Sequence, residues 1–112
     1  MREPLLDPTI EQRLRHELAV PYVAVVDCHP ESGDWIRRAA YPELPGCAVE
    51  SRSTLEAMDL LEQLRIELIV DAVLEGRELP TSRRPLRGGT SGLCEATLRT
   101  IIRDAITRRV AQ

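Results

Sequence analysis

A helix start signal and a helix stop signal frame the segment from Ser53 to Gly76, and they constrain this chain more than any other feature. Residues 53–56, Ser-Thr-Leu-Glu, have the spacing of a capping box, and a glycine suits the left-handed residue that ends a helix. Two apolar stripes of helical spacing run between them: Ala57, Leu61, Leu64, Leu68 and Ala72, and Leu55, Ile66, Ile69 and Val73. We therefore expect one long helix that packs against more than a single sheet.

Strand and turn signals precede this helix. Residues 22–26 are apolar at every position, which favours a strand that is covered on both faces or central in its sheet. Residues 30–33 predict a turn, residues 34–40 a second strand and residues 48–51 a short third one. We expect a hairpin and a small sheet, with Trp35 and Leu64 largely buried.

Two prolines in the segment 41–47 exclude a helix there, so we expect a rigid, extended connector. Within it, the dipeptide Pro45-Gly46 predicts a type II turn with a positive φ at the glycine. Near the start of the chain, Thr9 is a candidate cap for a short helix that Pro21 ends.

The predicted fold class is α+β. It comprises a three-stranded antiparallel sheet, to which a short fourth strand could be added, with the long helix packed on one face. We divide the chain into an N-terminal helical extension at 1–20, an α+β domain at 21–80, a linker rich in Pro and Gly at 81–92, and a C-terminal amphipathic helix at 93–112.

Composition indicates one small soluble domain, with 43% hydrophobic and 29% charged residues in a chain of 112. No apolar run approaches the roughly 20 residues that span a bilayer. The acidic, Pro-containing N-terminus does not resemble a signal peptide, and three cysteines without a paired spacing favour a reducing compartment. We expect a cytoplasmic protein.

Charge is divided unevenly along the chain. Residues 1–76 carry 7 Arg and 15 acidic residues, a net charge of −8, whereas residues 77–112 carry 8 Arg and 3 acidic residues, a net charge of +5. An acidic body attracts basic partners through long-range steering. The basic tail either docks on that body or attracts acidic partners, nucleic acid included.

Few residues in the chain are suited to catalysis. Cys28 and His29 are neighbours whose side chains point in opposite directions in a strand, and neither has a companion at metal-ligand spacing. The glycine-rich stretch before the last helix lacks the lysine of a phosphate-binding loop. Acidic pairs such as Glu62 and Glu67 are expected on the solvent side of the long helix. We expect no catalytic residue, no metal and no cofactor.

Several short motifs share one spacing pattern. They comprise Pro21-Tyr22, a tryptophan in the second strand, Pro-Glu-Leu-Pro-Gly-Cys, a Thr-Leu-Glu-Ala helix entry and Gly-Arg-Glu-Leu-Pro. The residues of these motifs that we expect to have a structural role are Trp35, Pro42, Pro45, Gly46, Cys47, Glu56, Gly76 and Pro80. Over residues 21–80 this pattern resembles the HicB-like antitoxin family. One departure is Ser51-Arg52, because a Gly-Asp pair usually precedes the helix in that family.

The resemblance implies a degenerate ribonuclease-H-like fold without catalytic acids. It also implies a protein that neutralises a small basic ribonuclease toxin and regulates its own operon. DNA is a candidate partner, although one helix after the linker is too short for a complete DNA-binding domain. An alternative is an orphan scaffold or regulator that acts through homo-oligomers or another protein. A third is an enzyme with residual magnesium-dependent ribonuclease activity at Asp27.

Two sets of surface residues follow from these expectations. The toxin is expected to contact Glu43, Leu44, Glu50 and Arg52. The C-terminal helix is expected to lie on the second stripe of the long helix, either in the same chain or, as we predict, across a homodimer interface formed by Ile66, Ile69, Val73, Leu98, Ile101, Ile102 and Ala105.

Overall fold

The computed structural model describes residues 8–80 and 95–110 of the chain. Its elements, in chain order, are α1 Pro8–Leu18, β1 Val25–Glu31, β2 Asp34–Ala40, β3 Ala48–Ser51, α2 Thr54–Leu74 and α3 Glu95–Val110. The α+β class and the three-stranded antiparallel sheet are confirmed. None of the helices within the described ranges has the length and apolar character to cross a membrane. The predicted linker lies outside the described residues.

A two-residue turn joins β1 to β2. Ser32 and Gly33 have φ values of 51° and 87°, so both central residues lie in the left-handed region that a type I′ hairpin requires. The predicted turn at 30–33 is therefore too long, because Pro30 and Glu31 belong to β1 and pair with Trp35 and Asp34. A tight turn of this type matches the right-handed twist of the two strands.

Strand β1 lies at an edge of the sheet, whose order is β1-β2-β3. The prediction of a covered strand at 22–26 is wrong: β1 begins at Val25, and Val23, Val25 and Val26 are exposed. Pro30 lies within β1. An edge strand tolerates a proline there, because the side that lacks the N–H donor can face away from the neighbouring strand.

The connector between β2 and β3 is compact and not extended as predicted. Hydrogen bonds close it, since the Tyr41 amide donates to the carbonyl of Cys47 at 2.9 Å and the Cys47 amide donates to the carbonyl of Leu44 at 3.1 Å. The positive φ expected at Gly46 is confirmed at 81°. The two prolines are compatible with this loop because tight turns accept a fixed φ.

Both ends of α2 are capped. Ser53 Oγ accepts a bond from the Glu56 amide at 3.3 Å, and the reciprocal half of the predicted box is replaced by a bond from the Ser53 amide to Ser51 Oγ. At the other end, Gly76 has a φ of 73°, and the amides of Gly76 and Arg77 donate to carbonyls in the last turn, which is a Schellman motif. Local signals therefore set the helix length.

Helix α1 starts two residues earlier than a Thr9 cap would allow. Its first helical residue is Pro8, where the fixed φ and the missing donor cost nothing. Leu14 and Leu18 are buried, as the predicted stripe requires.

Internal contacts divide the described residues into two compact units. A helical unit contains residues 8–21, 69–78 and 95–110, and a sheet unit contains residues 22–68 and 79–80. Helix α2 therefore contributes its first part to the sheet unit and its last part to the helical unit. The predicted boundaries at 21 and 80 stay a prediction.

Each unit has its own buried residues. Those of the helical unit are Leu14, Leu18, Ala19, Val20, Ile69, Val70, Ala72, Val73 and Ile102. Those of the sheet unit are Ala39, Tyr41, Leu44, Cys47, Ala57, Leu61, Arg65 and Ile66.

Three apolar side chains that we expected to be covered are exposed to different degrees. Trp35 is 60% exposed and Leu55 is 79% exposed. Leu64 is half-buried. The burial of Trp35 is therefore a wrong prediction, and its position explains the error, because it stands beside the hairpin turn while Ala39, on the same face, is fully buried.

Candidate functional site

One face of the β1–β2 hairpin exposes a group of apolar side chains. Residues paired across antiparallel strands project from the same side, and Trp35 pairs with Pro30 while Val26 pairs with Ala39. Cys28 lies between Pro30 and Val26 on β1, and all of these except Ala39 are exposed. We call Val26, Cys28, Pro30 and Trp35 the hairpin face. A tryptophan exposed among other exposed apolar side chains is unusual for a surface with no binding role.

Arg37 fixes the backbone on either side of this face. Its Nη1 donates to the carbonyl of Trp35 at 3.0 Å and to the carbonyl of Arg52 at 2.8 Å. These bonds tie β2 to the segment that leads into α2. The Arg37 Nε is buried, and the described residues offer it no hydrogen-bond acceptor. The Arg37 side chain therefore holds β2, the strand that carries Trp35, through one bond to the β2 backbone and one to the backbone of Arg52.

A partly buried polar network lies in the sheet unit. Arg65 is 4% exposed, and it grips Glu62 with two bonds, from Nε to Oε1 at 3.0 Å and from Nη2 to Oε2 at 3.1 Å. The Tyr41 hydroxyl donates to Glu62 Oε1. The expectation that Glu62 lies on the solvent side of the helix is only partly correct, because its side chain is 38% exposed and pairs with the buried guanidinium one turn away.

The network shifts three pKa values. Burial, reinforced by the Glu62 carboxylate, raises the pKa of Tyr41 to about 12. Burial opposes the charge on Glu62, but hydrogen bonds from Arg65 and Tyr41 outweigh it and hold the pKa of Glu62 below its usual value. Burial also raises the pKa of the Cys47 thiol. These groups explain the burial of an arginine and provide no site for a substrate.

We expect alkaline pH to destabilise the protein through Tyr41. Because its pKa is raised in the folded state, Tyr41 keeps its proton where the unfolded chain loses it. Its contribution to stability is complete below pH 10.0 and is lost as pH rises toward about 12. Cys47 acts in the same direction from its ordinary value of 9.0 upward. The measurement is the free energy of unfolding in urea at both ends of this range.

The variant that tests this assignment is Tyr41→Phe, which should flatten the decline and leave the part due to Cys47. An undiminished decline in Tyr41→Phe would contradict the assignment. At low pH the sign reverses for Glu62: its contribution is present above its usual pKa and is lost on acidification.

The four residues predicted to contact a toxin lie in different environments. Leu44 is buried, and the half-buried Glu43 accepts a bond from the Val23 amide at 3.1 Å. Glu50 is exposed on β3, and Arg52 is exposed and pairs with Asp34 at 3.3 Å. Their role in binding stays a prediction, and in this conformation Leu44 offers no surface to a partner.

The residues predicted at a dimer interface lie mostly inside the chain. Ile66, Ile69, Val73 and Ile102 are buried and Ile101 is half-buried, while the side chains of Leu98 and Ala105 are outside the described set. Helix α3 and the end of α2 belong to the same unit of one chain. The interface stays a prediction, and those four side chains are already covered without a second subunit.

Residues on the opposite face of the hairpin form a cluster with metal-binding donors. One donor atom from each of His29, Glu31 and Glu50 lies within 4.8 Å of the others. The sequence indicated no companions for His29 because only cysteine and histidine at zinc-ligand spacing were considered. Glu31 lies two residues away on β1, and the strand register brings Glu50 of β3 to the same face.

Comparison with protein-family models, with curated proteins and with solved structures found no significant match to this chain. The similarity to HicB-like antitoxins therefore stays a prediction that rests on the quoted motifs.

Proposed function

We propose that this protein is an antitoxin-like binding protein without catalytic activity, which neutralises a small basic ribonuclease by covering it with the sheet unit. The observation that carries the proposal is the exposure of Trp35 on the hairpin face. Tryptophan is among the residues that contribute most to protein–protein affinity. The motifs shared with HicB-like antitoxins support the choice of partner.

Charge supports a basic partner. Residues 22–68 contain 9 acidic residues and 4 arginines, a net charge of −5. Several of the acidic side chains are exposed on the hairpin, among them Asp27, Glu31 and Asp34, which project from the face opposite Trp35. They therefore add to the negative charge of the sheet unit as a whole and do not form a rim around the hairpin face. Complementary charge speeds the encounter with a basic protein and disfavours acidic competitors.

Preorganisation supports binding by the hairpin face. Type I′ turn geometry and the bonds from Arg37 hold the strands that present the face, so little conformational entropy is lost when a partner docks. A face that is already formed in the free protein binds with a small change in shape. The proposed autoregulation would be carried out by the complex with the toxin. The arginines of this chain that could contact DNA there are concentrated in its tail, residues 77–112.

The test uses the protein encoded next to this one in the genome that carries it. We expect a short basic protein whose production arrests growth, and we expect co-production of this chain to restore growth. Calorimetry with the two purified proteins should give saturable binding, and RNA cleavage by the neighbour should stop at the same stoichiometry.

Two outcomes would contradict the proposal. One is a neighbour with no affinity for this chain. The other is RNA cleavage that persists in the saturated complex. Sedimentation of the chain alone serves as a control for the alternative of an orphan scaffold: a stable homo-oligomer that buries Trp35 would favour that reading, and indole fluorescence that shifts with protein concentration would detect it.

A further inference from the structure

The cluster on the outer face of the sheet combines residues from the two edge strands, β1 and β3. His29 and Glu31 are two residues apart on β1, so they project from the same face. His29 pairs with Ile36, and Glu50 on β3 pairs with Arg38; Ile36 and Arg38 are also two residues apart. All three side chains therefore stand on one side of the sheet. We call His29, Glu31 and Glu50 the outer cluster.

The distances in the outer cluster suit a small cation. His29 Nε2 lies 3.5 Å from Glu31 Oε2, and one donor atom of each residue lies within 4.8 Å of the other two. Zinc bound tetrahedrally at roughly 2.0–2.1 Å to each ligand places the ligand atoms about 3.3 Å apart. The first pair already has nearly this spacing. Small rotations of the exposed Glu50 side chain would bring it to the same distance.

The chemistry of the donors narrows the choice of ion. Magnesium and calcium prefer ligand sets made entirely of oxygen, whereas an imidazole nitrogen beside carboxylates suits zinc and other late divalent transition metals. Two carboxylates neutralise a divalent ion. Without a cation, Glu31 and Glu50 place two negative charges close together, which is unfavourable.

We propose that His29, Glu31 and Glu50 bind one Zn²⁺ ion, with the fourth position taken by water. The ion links edge strand β1 to edge strand β3 across β2. It therefore stabilises the sheet unit, because a ligand that binds only the folded state shifts the folding equilibrium. The outer cluster lies on the opposite face from Trp35, so the zinc proposal stands or falls independently of the proposed toxin binding.

Charged residues near the outer cluster affect its affinity for zinc, and they provide further variants for the experiment. Arg38 lies on the same face, at the register position between Asp27 on β1 and Glu50 on β3. Its positive charge near the outer cluster opposes the binding of a cation. Asp34, opposite Glu31, is engaged by Arg52 at 3.3 Å. Arg38→Gln should therefore strengthen zinc binding, whereas Arg99→Gln should not. A nonspecific attraction of zinc to acidic surface would respond equally to both substitutions.

The experiment is calorimetric titration of the full chain, free of any affinity tag, with zinc chloride. We expect one site, loss of binding by at least about tenfold in His29→Ala and in Glu50→Gln, and a higher melting temperature with zinc but not with magnesium. His16→Ala and Glu67→Gln are matched controls, since His16 is the other histidine of the chain and both residues are exposed. Circular dichroism confirms that each variant is folded.

Cobalt spectroscopy identifies the ligands. Co²⁺ in the site should show the absorption of a nitrogen and oxygen ligand set, without the charge-transfer band of a thiolate, because Cys28 projects from the opposite face. Zinc binding that is equally tight in His29→Ala, or lost in His16→Ala, would overturn the proposal. So would a thiolate band that disappears in Cys28→Ser, or the absence of any saturable site.

Discussion

Leu61→Ala should lower the free energy of unfolding by about 2–5 kcal/mol, the usual range for truncation of a fully buried leucine. Leu61 is 0% exposed and stands in the middle of the buried face of α2, between Ala57 and Arg65. The sheet unit has few other large buried aliphatic side chains, so few neighbours could move into the cavity that the substitution creates. The measurement is urea unfolding followed by circular dichroism.

The adjacent residue offers a matched control. Leu60 has the same chemistry and the same helix propensity, but it is 37% exposed. Leu60→Ala should therefore cost less than Leu61→Ala, because more than a third of the surface of Leu60 already meets water. Equal losses in the two variants would mean that the face of α2 is assigned incorrectly.

Trp35→Ala should weaken binding of the basic neighbour by at least about 2 kcal/mol, roughly 30-fold in the dissociation constant. The same substitution should change the stability of the free protein little, since the side chain is 60% exposed. This combination distinguishes a binding residue from a core residue. Calorimetry with the neighbour and urea unfolding of the free variant provide the two numbers.

Leu55→Ala controls for the loss of exposed apolar surface in general. Leu55 is 79% exposed and lies in the first turn of α2, outside the hairpin face. Its truncation should leave the dissociation constant within about twofold, as is typical of residues away from the energetic centre of an interface. Equal weakening by both substitutions would contradict the hairpin face as the centre of contact.

Local chemistry explains which features could be predicted from sequence. Ser53 and Gly76 mark the ends of α2 because a cap and a left-handed residue act within a few positions of the helix end. Gly46 was predictable for the same reason. The bounds of β2 and β3 followed from the turn residues that flank them.

Features that depend on distant partners could not be predicted in the same way. An apolar run such as 22–26 is typical of a covered strand, yet the pairing of β1 with β2 places the strand further along the chain and at an edge. Hydrophobicity shows that a side chain benefits from burial and does not show that anything covers it. Trp35 is the clearest instance, since its exposure depends on how far along the hairpin the core extends.

The outer cluster and the buried network depend on register. The sequence places Glu62 on the solvent side of the helix, whereas in the structure Tyr41 and Arg65 donate hydrogen bonds to its carboxylate. His29 and Glu50 are far apart in sequence, and a shift of one residue in the pairing would turn one of them to the other face. No spacing rule along the chain contains this information.

Pro30 restricts how another molecule can join this sheet. A strand that pairs with the open edge of β1 needs a regular row of N–H donors, and the ring of Pro30, the sixth of the seven residues of β1, withholds one of them. Recruitment by main-chain pairing, whether of a peptide, a second copy or a growing fibril, is therefore penalised. A chain with exposed valines at an unprotected edge would otherwise be prone to self-templated assembly, so this proline favours recognition by side chains along the edge of β1.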